Sequence, residues 1–98
     1  MATTTAKTTQ LVVPESKFFT LASGTKISGG PGGLKALKAL HLGYTALIDN
    51  DLKMIATFCG PNLLSLDISG SKGITDAGVA FLLNGCSKLE AFYIYEYV

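Results

Sequence analysis

The chain has little of what most functional sites are made from. It has no arginine: all eight of its basic residues are Lys, set against seven acids for a net charge of +1. Such a balance offers no basic field for nucleic acid or an anionic membrane. Charged residues are only 15% of the whole and hydrophobic residues 48%, an apolar balance for a soluble domain. There is one histidine, His41, and two cysteines, Cys59 and Cys86. Two cysteines make no disulfide framework, and one histidine with two thiols falls short of the roughly four ligands of structural zinc. The longest apolar runs are a few residues, too short to span a bilayer. Met1 to Lys7 has neither the apolar core of a secretory leader nor the arginines of a transit peptide. Cytoplasm or nucleus is the expected location, with both thiols free. No nucleophile elbow, phosphate loop or metal-hydrolase spacing occurs, and Ser28 to Gly33 lacks the Gly-Lys-Ser/Thr ending of a phosphate loop.

What is present is a period. Leu63, Leu66 and Ile68 recur further on as Leu89, Phe92 and Ile94. At the same offset in the other direction stand Leu37, Leu40 and Leu42. One apolar pattern repeated at a constant offset marks a stacked-repeat fold. Leu66-Asp67-Ile68 and Phe92-Tyr93-Ile94 alternate as half-buried strands do, so strands are expected near 40–42, 66–68 and 92–94. Residues 34–42 alone also suit an amphipathic helix, with Leu34, Leu37 and Leu40 three apart. The period decides for the strand.

Between the strands the spacing changes to that of helices. Leu52, Ile55 and Cys59 fall at i, i+3, i+7, and so do Val79, Leu82 and Cys86. Helices are expected near 49–59 and 76–86. Asp49 is expected to cap the first, and Thr75 or Asp76 the second. Gly60-Pro61 should stop the first helix through a left-handed glycine cap. Parallel strands alternating with helices imply an α/β fold, here a short right-handed solenoid over residues 34–98. Residues 1–10, with five Thr, are expected to be a disordered tail, and 11–33 an irregular cap or linker with a short strand at Leu11 to Val13. A third strand without a helix to cover it is a pairing liability, so the chain is expected to be a fragment, with further repeats or self-association through the C-terminal edge strand.

These residues resemble the cysteine-containing class of leucine-rich repeats, whose unit is a Leu-x-x-Leu-x-Leu strand, an Ile-Thr-Asp-x-Gly-Leu turn into a helix, and a closing Cys. Leu63, Leu66, Ile68, Ile74, Thr75, Asp76, Gly78, Val79, Leu82, Cys86 and Leu89 match in spacing. The preceding unit lacks the Gly, and Thr45 and Ser71 stand where the class has Cys or Asn. The resemblance implies a solenoid and a protein-binding role, as in proteins similar to F-box substrate receptors of ubiquitin ligases. No F-box is evident, so the ligase role is carried only by the family analogy.

Side chains that flank the inward leucines should face outward on the sheet. His41, Asp67 and Tyr93 are expected to form one lateral row, with Ser65, Ser69 and Tyr95 around it. A tyrosine beside a His–Asp pair suits a polar peptide surface. The bland reading is a solvated face with one local cross-strand pair. Cys59 and Cys86 are expected to be buried structural thiols rather than ligands or nucleophiles. The expectation is thus a non-catalytic protein-binding module with no cofactor or metal. A structural segment of a larger repeat protein is the alternative, and a small hydrolase using His41 the distant third.

Overall fold

The computed structural model describes residues 18–95. The expected tail at 1–10 and strand at Leu11 to Val13 lie outside those residues. Among the described residues there are seven regular elements in order: β1 (Phe18–Thr20), β2 (Lys26–Ser28), β3 (Ala39–His41), α1 (Asp49–Phe58), β4 (Ser65–Asp67), α2 (Asp76–Gly85) and β5 (Ala91–Tyr93). Short 3₁₀ turns lie at Gly30–Gly32, Leu34–Ala36 and Gly60–Asn62.

The fold is a small α/β arrangement with two sheets, and this corrects the expected solenoid. β1 and β2 form an antiparallel pair, with Phe19 opposite Ile27. β3, β4 and β5 form a separate parallel sheet in that order, with the two helices as connections. A solenoid of the expected class stacks like units on one continuous sheet and needs about three of them. Here two strand–helix units and one further strand meet an antiparallel hairpin that does not repeat them. The constant spacing of the leucines sets the register of the parallel sheet, pairing Leu40 with Leu66 and Leu66 with Phe92. It does not extend to the architecture as a whole. Each strand also begins one residue earlier than expected, at 39, 65 and 91.

The core lies between the parallel sheet and its helices. Leu40 and Leu66 of the strands, with Leu42, Leu63 and Ile68 beside them, meet Leu52, Ile55 and Leu82 of the helices and Cys59 and Cys86 at the helix ends. Burying one such Leu or Ile contributes roughly 1.5–3 kcal/mol. The hairpin adds Phe19, Leu21 and Ile27 to the same cluster. Phe19 stacks on Phe58 of α1 with ring centroids 5.3 Å apart. Strand-period alternation at Phe18-Phe19-Thr20 and Lys26-Ile27-Ser28, exposed–buried–exposed in both, holds that pair to one face.

Helix ends differ from expectation in an informative way. Asp49 is the first helical residue of α1 rather than its cap. Its carboxylate reaches across to the start of α2, accepting the Thr75 N–H at 2.8 Å and the Thr75 hydroxyl at 2.6 Å. Thr75 stands at the N-cap of α2, but its hydroxyl is spent on Asp49 instead of its own helix. The α1 start is held by Asp51, whose Oδ2 accepts the Ile48 N–H at 3.0 Å. This is the backward half of a capping box. Asp51 is buried, and its Oδ1 accepts the Ala22 N–H at 2.9 Å, tying the hairpin to α1. Gly60 is not left-handed; α1 closes through Cys59, and a Cβ at Gly60 would collide with the Gly85 carbonyl. Close approach of the two helix ends, not cap conformation, is what needs glycine there.

Candidate interaction surface

The outer face of the parallel sheet carries the side chains that alternate with the core leucines. Pairing of His41 with Asp67 and of Asp67 with Tyr93 puts these three in one row across β3, β4 and β5. Neighbouring strands stand ~4.8 Å apart, so the row is continuous for a partner. His41 and Tyr93 are exposed and Asp67 is half-buried. Ser65 is half-buried one row earlier, between Ala39 and Ala91. Tyr95 is 64% exposed, and its ring lies 6.3 Å from that of Tyr93 at a tilt of 30°.

Ser69 departs from the expected outward group. It is only 4% exposed. Its hydroxyl oxygen accepts the Tyr95 N–H at 2.9 Å, and its own N–H donates to Asp67 Oδ1 at 2.9 Å. Backbone beyond the strand ends closes over it, because the Gly70 N–H bonds the Tyr95 carbonyl and the Tyr44 N–H bonds the Ser69 carbonyl. Ser69 therefore holds Asp67 and Tyr95 in place rather than meeting a partner. Its backbone and side-chain hydrogen bonds keep the Asp67 carboxyl below its ordinary range, helped by the nearby charge of His41. Asp67 thus presents a fixed negative charge at neutral pH.

One exposed side chain in the turn after β3 carried no signal in the sequence. Tyr44 follows β3, is 82% exposed, and lies with its ring over Gly70. Tyr44 and Ala46 both hold left-handed backbone, φ 59° and 56°. That conformation disfavours ordinary side chains, so no turn rule would have placed a tyrosine there. Tyr44 borders an open hollow lined also by Ile48, Lys72 and Gly73, at the carboxyl ends of the parallel strands. The turns behind it are tied by hydroxyls. Thr45 Oγ1 donates to the Leu42 carbonyl at 2.7 Å, and buried Ser71 Oγ accepts the Leu47 N–H at 2.9 Å.

Cys59 and Cys86 are buried in the core on the other side of the sheet from His41. Burial pushes the Cys59 thiol up to about 12, with the neighbouring Cys86 adding to the shift, and burial raises Cys86 as well. Neither is poised as a nucleophile. Among the described residues no group of three His, Cys, Asp or Glu side chains comes together to hold a metal ion. No described helix is long and apolar enough to cross a membrane. Compared with known proteins, the chain matches no family model, no curated protein and no solved structure.

Proposed function

We propose that this chain is a non-catalytic protein-binding module that uses the outer face of its parallel sheet. The observation that supports this is the His41–Asp67–Tyr93 row, backed by a packed core and flanked by Tyr95. Tyrosines supply large contact area at low entropic cost and are enriched at binding hot spots. Asp67, anchored by Ser69, selects a basic side chain among the tyrosines. The partner that fits is a protein segment carrying Lys or Arg beside apolar contacts. The resemblance to F-box-associated repeats adds one refinement, that this partner is the substrate of a ubiquitin ligase. Free thiols suit cytoplasm or nucleus as the site of action.

The test is photo-crosslinking in cells with a reactive amino acid at position 95, against the same group at Phe81 on the helix side. Position 95 should trap a defined partner and position 81 should not. Recombinant partner should then bind the wild-type chain at least tenfold tighter than the Asp67→Arg, Tyr95→Ala variant. Equal binding by variant and wild type, with folding intact by circular dichroism, refutes this assignment of the surface.

A further inference from the structure

Among the described residues, the parallel sheet has one edge where both backbone and apolar side chains stay open. Along β5 and the two residues after it, the N–H of Ala91 donates to the Leu64 carbonyl, and the carbonyls of Tyr93 and Tyr95 accept from the N–H groups of Ile68 and Gly70, on the segments flanking β4. Backbone groups of a parallel strand alternate sides, so the N–H and C=O of Phe92 and Ile94 point away from the sheet. The apolar rows of the core break off at the same edge. Leu63, Leu66 and Ile68 are fully buried, whereas their counterparts Leu89 and Phe92 are half-buried and Ile94 is 37% exposed. The helix layer shows the same step. Leu52 and Ala56 of α1 lie buried under α2, while no helix among the described residues covers their α2 counterparts Val79 and Leu83, and Leu83 is 43% exposed. Ala91 to Tyr95 contains no charge and no Pro, and the charges that limit the open edge, Glu90 and Glu96, stand just outside it. The hairpin end of the domain differs. There Phe19, Leu21 and Ile27 are buried and Asp51 fixes the hairpin to α1.

We infer that a second copy of this chain seats on this edge, β5 against β5, about a two-fold axis through Tyr93. The hairpin forms a sheet of its own and buries the apolar side chains at the other end, so the two ends do not match and a closed pair through this edge is favoured over a head-to-tail chain. Antiparallel pairing sets Phe92 opposite Ile94 of the other copy, where the outward N–H and C=O groups of both exchange hydrogen bonds, and each such pair is made twice. Tyr93 then faces its own equivalent at a non-hydrogen-bonded position, with Cα atoms ~4.5 Å apart. Phe92 and Ile94 meet on the core side, and Leu83 of one α2 approaches Leu83 of the other. The two sheets become one of six strands, and both outer faces keep their rows of side chains on the same side. The face is one short strand and a few helix side chains, smaller than the ~800 Å² per partner of a standard interface, so a reversible dimer in the micromolar range follows.

Sedimentation equilibrium of the full chain from about 1 to 200 µM should show a monomer–dimer equilibrium with no larger species. Ile94→Lys should weaken dimerisation at least tenfold while leaving the far-ultraviolet spectrum unchanged. Tyr93→Cys should form a disulfide-linked dimer on mild oxidation, and Phe81→Cys, on the helix side, should not. This last pair reads the geometry even if Ile94→Lys fails to fold. A wild-type monomer at 200 µM, an open ladder of oligomers, or equal cross-linking through positions 93 and 81 overturns the proposal.

Discussion

Asp51→Ala should be the most damaging single change outside the apolar core. Asp51 is 1% exposed, and its carboxylate accepts two backbone N–H groups, one from Ile48 at the start of α1 and one from Ala22 beyond β1. A hydrogen bond to a charged acceptor contributes about 1.5–3 kcal/mol net when its partner would otherwise go unsatisfied. Both N–H groups are only partly shielded and recover some hydration once the carboxylate is gone, so about 2–4 kcal/mol is the expected total. A small domain holds about 5–15 kcal/mol in all, so this is a large share. With a urea slope near 1–1.5 kcal/mol/M, the midpoint should fall by about 2 M. Asp51→Asn keeps one amide oxygen and should lose about half as much. The loss should also be local: the Ala22 amide should exchange with solvent faster than amides of the parallel sheet, because the hairpin loses its tether. A loss under about 0.5 kcal/mol for Asp51→Ala would refute the reasoning, as would an Ala22 exchange rate that merely follows global unfolding.

Three further outcomes are expected. Gly78→Ala should destabilise, because its new Cβ collides with the Asp49 carboxylate that bridges to Thr75, and Asp49→Ala in the same chain should remove most of that penalty; urea midpoints of the four combinations measure it. Acid should weaken the fold through Asp49 and Asp67, whose carboxyls are both held below the usual 3.8, Asp49 chiefly by the Thr75 hydroxyl and Asp67 chiefly by the Ser69 N–H. The unfolded chain takes up these protons first, so their contribution is present above about pH 4 and fades as pH falls through the lower folded values; Asp49→Asn should flatten that part of the denaturation profile. Neither thiol should react with a disulfide reagent at pH 8 in native protein, and both should react at once in urea, since Cys59 is fully buried with its thiol pushed up to about 12.

Local patterns in the chain carried much of the geometry near the candidate surface. His41, Asp67 and Tyr93 share a row because they are evenly spaced along the chain, and strand alternation turns all three to the side opposite the leucines. What could not be read there is mostly non-local polar bonding. Ser69 has the alternation of an outward residue, yet it is buried because backbone from two neighbouring strands closes over it. Asp49 and Thr75 each look like caps of their own helices, but across the two helix starts they satisfy each other. Tyr44 gave no sign because its backbone is left-handed, where sequence rules expect glycine or asparagine.

The order of residues by itself determined the spacing of strands and helices, since periodicity of apolar side chains is a property of neighbours a few positions apart. Only the tertiary structure decided the architecture. Phe18 to Ser28 pairs as an antiparallel hairpin, so a two-sheet α/β fold stands in place of a solenoid. That choice rests on contacts between distant segments, the stack of Phe19 on Phe58 and the Asp51 bond to Ala22. Neither leaves any periodic trace along the chain, because each is made once.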